Sequence, residues 1–287
     1  FHHIDIDTYA PALVYKNKTF AVGVTAMLNQ VHQKLNFPVM NPAWEEGTGE
    51  VGYPFDLNHT GWGSAFRMGL MAQPNDKTRL GFSLQTPYSV DFNSTAHTAI
   101  FAELDSTAAT ETAYSTTFEM PWQFAAGLQL TLDKQWTMNI DAAFSMGGSL
   151  EEREKIEFND SEWNAFLAQT DTVTGLQPNS LFQDRRNSFD LGLGLEYIAS
   201  PELSYQFGYR LSTSPNTETT YHLVTPTVNM HWLSAGLSYS RSNLRMAAAI
   251  AYALGQKEKI DEEQLIFSRG QYNSYALIPN VTIQYRF

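Results

Sequence analysis

WTMNIDAAFSM, residues 136–146, places an apolar side chain at every second position. The even-numbered residues are Trp, Met, Ile, Ala, Phe and Met, whereas the odd-numbered residues are Thr, Asn, Asp, Ala and Ser. Successive side chains of a β-strand point to opposite faces of the sheet, so this alternation predicts a strand with one apolar and one polar face. The stretch is also long, because soluble strands average about five or six residues.

The same alternation recurs along the chain. It is found in residues 80–92, 122–132, 189–197, 203–211, 244–254 and 275–287, and the whole pattern amounts to about eleven strands. A soluble sandwich also alternates, but here the strands are long and carry Tyr, Trp and Phe near their ends. Aromatic residues at strand ends are typical of the interfacial girdles of membrane β-barrels.

The connections between the predicted strands alternate between short and long. Short, turn-forming segments lie at 16–18, 75–77, 133–135, 200–202 and 242–243, and long ones cover roughly 37–60, 98–112, 159–184, 215–230 and 261–271. Tight periplasmic turns and long extracellular loops are the outer-membrane pattern. The sequence therefore predicts an all-β fold, a transmembrane antiparallel β-barrel that occupies residues 1–287 as a single domain.

Composition narrows the function. The chain has no cysteine, which removes disulfides and thiolate metal sites, and its net charge of −12 argues against nucleic acid as a partner. No apolar run approaches the roughly 18 residues of a membrane-spanning helix, a test that β-barrels do not have to meet. No motif indicates a metal or another cofactor.

The odd number of predicted strands bears on how the barrel can close. With tight turns on one side, the first and the last of eleven strands run in the same direction. Bacterial single-chain barrels close with antiparallel neighbours and an even number of strands. We therefore expect an odd number of additional strands before residue 1.

Several segments resemble the FadL-type family of outer-membrane long-chain fatty acid and hydrocarbon transporters. GWGSAFRMGL (61–70), the turn NDK (75–77), RLGFS (79–83), FEMPWQ (118–123) and HWLSAGLSY (231–239) are similar to family strands in order and spacing. The resemblance implies a fourteen-stranded barrel plugged by an N-terminal hatch. The hatch and about three first strands are then expected to lie outside this segment, in agreement with the parity argument.

The resemblance also implies passive uptake of hydrophobic small molecules, such as long-chain fatty acids, across the outer membrane of a Gram-negative cell. The implied partners are the lipid bilayer and lipopolysaccharide, a fatty acid or hydrocarbon for which detergent can substitute, and the barrel-assembly machinery. The last strand, PNVTIQYRF, carries aromatic residues at Tyr285 and Phe287. We interpret it as the terminal signal for outer-membrane insertion.

Candidate site residues follow from the predicted lumen face and loop ends. The lumen face carries scattered charges, which either brace the wall as pairs or meet a ligand carboxylate. Pro121 removes a ladder donor within a strand and indicates either a kink that opens a path or a tolerated bulge. The candidate ligand-binding residues are Arg67, Arg210, Arg245 and Trp232 in the lumen, and Lys34, Arg153 and Lys155 near the long loops.

Two alternatives stay open. All seven histidines are expected in or near the extracellular half of the barrel, the half that carries the long loops, where some barrel proteases and lipases place catalytic groups. No G-x-S-x-G or H-E-x-x-H motif accompanies them, so an enzyme is disfavoured. The second alternative is a structural or adhesive, porin-like barrel.

Overall fold

A computed structural model describes residues 2–40, 52–99, 109–150, 153–167, 180–182, 185–217, 228–260 and 270–285. Among these residues, no helix is long and apolar enough to cross a membrane. The one α-helix described, α1 (Ser161–Leu167), lies within a long connection, as does a 3-10 turn at Gly147–Ser149. The rest is dominated by strands.

The strands in chain order are β1 (His2–Tyr9), β2 (Ala12–Lys16), β3 (Phe20–Met40), β4 (Gly52–Asn75), β5 (Thr78–Gln85), β6 (Tyr88–Thr98), β7 (Glu111–Met120), β8 (Gln123–Thr131), β9 (Trp136–Ser145), β10 (Arg153–Lys155), β11 (Glu157–Phe158), β12 (Ser180–Phe182), β13 (Ser188–Ile198), β14 (Leu203–Ser212), β15 (Met230–Arg241), β16 (Leu244–Gly255), β17 (Glu258–Ile260), β18 (Gly270–Tyr272) and β19 (Tyr275–Tyr285).

Within the described residues, eleven long strands form one antiparallel meander, as the alternation predicted. Three of them are interrupted, so that β1 with β2, β5 with β6, and β7 with β8 each make one strand; the others are β3, β4, β9, β13, β14, β15, β16 and β19. Each pairs with its neighbours in the chain. Among the described residues, β1 and β2 pair only with β3, and β19 only with β16, so no pair joins the first strand to the last.

The connections define two ends of the sheet, which we call the turn end and the loop end. At the turn end, side-chain oxygens bind the backbone of the tight turns: Asn17 Oδ1 accepts from the amides of Thr19 and Phe20 at 2.8 and 2.9 Å, and Asp133 Oδ1 accepts from those of Gln135 and Trp136. Asn and Asp favour turns because of this bond. The two-residue turn after β15 has a positive φ of 52° at Ser242.

The sheet has one apolar and one polar face. In most strands the apolar side chains point outward. Leu191 is 50% exposed, Phe207 53% and Val281 74%, all on the apolar face. Aromatic pairs mark both ends of it, with Trp136 against Tyr197 at the turn end and Tyr9 against Trp62 toward the loop end. Large exposed apolar side chains in a band between aromatic girdles are the surface that lipid covers.

The wall is double in one region. The fourth and fifth strands are interrupted at the same level: Gln85–Gln123 is the last pair of β5 with β8, and Tyr88–Met120 is the first pair of β6 with β7. Pro87 and Pro121 lie in the two interruptions. Because proline donates no ladder hydrogen bond, each interrupts its strand. We call β6 and β7 the inner hairpin.

The inner hairpin packs on the inner face of β3 and β4. Val90 and Phe92 are fully buried, and they form a core with Val31 of β3 and Ala65 of β4. Gly61 and Gly63 make this approach possible, because a Cβ atom on Gly63 would lie 2.7 Å from the side chains of Tyr88 and Val90. Only glycine leaves room for a backbone at that distance.

One edge of β4 pairs first with β5 and then with β6. Between these two stretches that edge has no ladder partner among the described residues, and the inner hairpin lies against it. β4 pairs with β5 up to Arg67–Gln85 and with β6 only at Asp56–His97 and Phe55–Thr98. Between these points, Ser94 Oγ donates to the Asn58 carbonyl at 2.6 Å. The hairpin thus leaves the ladder near Thr86 and rejoins it at the loop end.

Above the hairpin, a small aromatic core ties the loops to the sheet. Phe55 contacts Phe158 edge-on with centroids 5.9 Å apart, and Trp163 of α1 packs against both. Trp163 Nε1 donates to the Ala109 carbonyl at 3.1 Å. Asp160 Oδ1 accepts from the Glu162 amide at 2.7 Å and so caps the helix.

Two sequence predictions were wrong. Residues 37–60 are not one long loop, because β3 and β4 pair continuously as far as Met40 and Gly52, with Pro38 opposite Pro54. Backbone pairing continues there although the side-chain alternation fades. Residues 80–92 are also not one strand with a lipid-facing apolar side. The even-numbered residues of β6 point outward, but the strand breaks at Pro87 and Pro121 place them against β4 and away from lipid.

Candidate functional site

The inner face of the single-layered wall borders an open-sided cavity of about 730 Å³. Cross-strand pairing brings its wall residues together from eight strands, which are β2 to β5, β8, β9, β13 and β14. Small side chains leave the space open, among them Gly81, Ala125, Gly127, Ala143 and Gly192. At Gly81 a Cβ would meet no atom within 4 Å.

Arg210 lies in this cavity and is held by a carboxylate. Its Nη2 and Nε donate to Asp190 Oδ1 at 2.7 and 3.1 Å, and the Ser212 hydroxyl donates to the same oxygen. The Arg210 side chain is 58% exposed and that of Asp190 is 37% exposed. This pair matches the bracing alternative that the sequence left open, and an exposed pair of this kind contributes only about 0–1 kcal/mol.

Arg67 lies in the same cavity with a neutral partner. Its Nη2 and Nε donate to Gln85 Oε1 at 2.5 and 3.2 Å, and Gln85 is itself buried. Asp141, which projects over Gly127 with its Oδ1 2.8 Å from where a Cβ would be, is the second carboxylate of the cavity. The cavity therefore holds two arginines and two aspartates.

Arg245 and Trp232 lie elsewhere on the inner face. Arg245 is near the turn end, where its Nε donates to Ser238 Oγ at 3.2 Å, and it does not line the cavity. Trp232 pairs with Arg210 across the ladder and so shares its inward face, as the sequence suggested. Its role toward a ligand stays a prediction.

The remaining candidates do not gather into one site. Lys34 lies on the outer face of β3 at the loop end, opposite His3 and Asn58. Arg153 and Lys155 belong to β10, which pairs with β12 in a small separate sheet, and their side chains lie outside the described residues. Pro121 is buried at the base of the inner hairpin. Tyr285 ends β19, and Phe287 lies outside the described residues.

Sequence reasoning missed the inner hairpin and the polar cluster beneath it. His59 of β4 is 5% exposed; its Nδ1 lies 2.5 Å from the Tyr114 hydroxyl, and its Nε2 lies 3.1 Å from Gln33 Oε1. The ring stacks on Phe92 with centroids 3.9 Å apart. A neutral ring protonated on Nε2 satisfies both contacts, so this histidine joins the hairpin to the wall.

The available signal for this arrangement was the pair Pro87 and Pro121 opposite the glycines of GWG.

Other histidines are also engaged at the loop end: His32 Nδ1 lies 2.8 Å from Thr60 Oγ1, His231 Nδ1 2.7 Å from the Tyr209 hydroxyl, and His97 Nε2 3.2 Å from Glu111 Oε1. Among the described residues, no group of three or more His, Asp or Glu side chains could hold a metal ion.

Comparison with known proteins gives a consistent result. The family model described as "Outer membrane protein transport protein (OMPP1/FadL/TodX)" matches residues 9–287. A long-chain fatty acid transport protein of Escherichia coli O157:H7 is 21% identical over 218 residues, and the match covers 72% of this chain and 45% of that protein. The chain thus spans about half the length of the curated relatives it matches.

Solved structures show the same fold. A Pseudomonas aeruginosa FadL homologue superposes with a TM-score of 0.73 at 13% identity, covering 99% of this chain and 66% of that one. The Ralstonia pickettii toluene transporter TbuX gives 0.66 at 16% identity, with 100% and 68% covered. The Pseudomonas putida toluene transporter TodX gives 0.64 at 16%, with 99% and 69% covered.

Proposed function

Because this chain belongs to the outer-membrane transport family that includes FadL and TodX, we propose that it is part of a channel for passive uptake of hydrophobic small molecules. The observation that carries the proposal is the cavity on the inner face of a sheet whose outer face is apolar. A bilayer covers the outer face, and the small inner residues leave a path beside it.

The ligand class follows from the relatives. Matched proteins are named for long-chain fatty acids, toluene and monoaromatic hydrocarbons. We therefore propose apolar compounds of this size range as ligands, with a detergent molecule able to take their place. Such transport needs no nucleotide or metal, because the ligand moves down its own gradient.

The proposed assembly is larger than the segment. A closed barrel requires an odd number of strands between β1–β2 and β19, and we propose three, together with a hatch. In an open sheet the free edges would leave backbone groups unsatisfied in lipid, at several kcal/mol each. We further propose that lipopolysaccharide contacts the loop end and that the barrel-assembly machinery recognises the last strand through Tyr285 and Phe287.

Uptake by a Gram-negative host that lacks its own transporter of this family tests the proposal. The complete protein is expected to raise uptake of labelled decan-1-ol severalfold, and Gly81→Trp to abolish the increase by filling the open cavity. Leu80→Trp is the matched control, since this adjacent residue lies on the outer face. Equal uptake by Gly81→Trp and Leu80→Trp would exclude the cavity as the path.

The same cells test the enzyme alternative. His231→Ala is expected to leave uptake unchanged, because within the described residues this ring contacts the hydroxyl and the ring of Tyr209, both on the outer face. Hydrolysis of a lipid or peptide that is lost on changing a single histidine would replace transport by catalysis.

A further inference from the structure

The inner hairpin presents an acidic surface to the lumen. Its apolar residues point outward onto β3 and β4, so the alternate residues point inward and are exposed or half-exposed. Three of these are carboxylates, Asp91, Glu111 and Glu119. The two strands of the hairpin, YSVDFNSTAHT and ETAYSTTFEM, contain no lysine or arginine.

Among the described residues, these carboxylates contact no lysine or arginine. Asp91 accepts a hydrogen bond from the neutral Thr117 hydroxyl at 2.8 Å. Glu111 lies 3.2 Å from His97 across the hairpin, a pair in which both side chains are more than half exposed. Glu119 lies opposite the neutral Ser89.

The cavity beside the hairpin does not supply this positive charge, and Arg245 of the inner face lies near the turn end, whereas the hairpin extends to the loop end. In the cavity, Arg210 is bound to Asp190, and Arg67 is balanced in number by Asp141. The arginines of the cavity are therefore matched by its aspartates, and the hairpin adds three carboxylates but no lysine or arginine. An anion that passes the hairpin therefore meets a negative field, which acts over a screening length of about 8 Å at physiological salt.

We propose that this lumen selects uncharged apolar compounds and discriminates against carboxylates of the same chain length. The inference rests on the proposed function and specifies its substrate class. An alcohol or a hydrocarbon has no charge to be repelled, and it gains from the apolar inner positions such as Ala125 and Ala143. A fatty acid anion gains the same contacts but enters against the field of Asp91, Glu111 and Glu119.

The test uses the complete protein in the outer membrane of the host described above, with decan-1-ol and decanoate at pH 8 as matched probes. The unmodified protein is expected to transport decan-1-ol in preference to decanoate. Asp91→Asn with Glu119→Gln is expected to raise decanoate uptake about tenfold, the scale of electrostatic steering in charged clefts, and to leave decan-1-ol uptake unchanged. Glu202→Gln, at a tight turn outside the lumen, is the control variant and should change neither.

Salt dependence in the unmodified protein provides a second measurement that needs no variant. Raising the ionic strength from 0.01 to about 0.3 M should increase decanoate uptake relative to decan-1-ol, because screening weakens repulsion between exposed charges. This measurement decides the matter if the double variant does not fold.

The outcomes separate the two proposals. Uptake of decan-1-ol with little decanoate, relieved by the double variant or by salt, supports the selectivity. Uptake of decanoate at least equal to that of decan-1-ol overturns the selectivity and leaves the transport function standing, as does a preference that neither the variant nor salt changes. Failure to take up either probe overturns the transport function itself.

Discussion

The sheet contains two regions that solve the same problem differently. In β13 to β16 a single layer separates lipid from lumen, so the apolar face must be satisfied by the bilayer: Leu193 and Leu237 are each 45% exposed. In the region of β3, β4 and the inner hairpin, two layers enclose a core in which Val31, Val90 and Phe92 are wholly buried.

The difference teaches where side-chain packing matters in such a protein. The single layer depends on face pattern and ladder hydrogen bonds, and it tolerates changes of shape. The double region depends on close fit, as the core of a soluble protein does. A change of side-chain volume should therefore destabilise the double region more than the single layer. A change to a charged side chain on the exposed face should destabilise the single layer more.

The largest expected effect is from Phe92→Ala in the double region. Removing a buried aromatic ring costs about 3–5 kcal/mol in a protein core, and here it also removes the ring stacked on His59. Phe207→Ala in the single layer is the matched control and should cost much less, since lipid fills the space. Urea unfolding of the complete protein in detergent measures both, and equal losses would show that the hairpin core is not close-packed.

Polarity should reverse the ranking. Leu193→Lys places a charge on the lipid face at the middle of β13 and should destabilise by about 2–4 kcal/mol. Asn93→Lys, on the exposed face of the inner hairpin, is the control and should have little effect. Folded yield in vesicles, read as heat-modifiable migration on gels, is the measurement; a tolerated lysine at 193 would place that face in water.

A single methyl group should distinguish the glycines of the two regions. Gly63→Ala brings a Cβ to 2.7 Å from Val90 and 2.8 Å from the Ser89 carbonyl, and overpacking of this kind costs about 1–3 kcal/mol. Gly81→Ala meets open space and should be neutral or slightly stabilising. Thermal unfolding followed by circular dichroism compares them; if the two variants melt together, the hairpin does not rest on β4.

The smallest expected effect is at the lumen ion pair. Asp190→Asn keeps the hydrogen-bond acceptor for Arg210 but removes the charge, and because both side chains are substantially exposed the loss should stay below about 1 kcal/mol. High salt should reduce even this difference. A loss of several kcal/mol in the same unfolding assay would mean that the pair is buried by a part of the protein outside the described residues.

Much of this architecture was predictable from alternation and turn chemistry. The single-layered strands have one environment on each face, so a period of two, ended by Asn, Asp or Ser, determines strand, face and turn together. The register then places Trp232 beside Arg210 without further information.

The double region was not predictable in the same way. Tyr88, Val90 and Phe92 alternate as lipid-facing residues do, and alternation does not distinguish lipid from a second strand as the apolar surroundings. The decision lies in long-range fit, in Gly61 and Gly63 opposite a strand broken at Pro87. The candidate site was limited for a different reason: alternation assigns Arg210 and Asp190 to the same face of neighbouring strands, but it does not decide whether the two side chains bind each other or a ligand.

The register on either side of the hairpin contains an inequality of chain length. Between the pairs Arg67–Gln85 and Asp56–His97, β4 contributes ten residues, 57–66, and the opposing strand eleven, 86–96. Two segments of unequal length cannot join into one regular ladder, since a shift by one residue would turn every side chain to the wrong face. The extra residue thus keeps β6 out of register with β4. If the hairpin moved outward to pair with β4 along its whole length, a β-bulge would have to accommodate this residue.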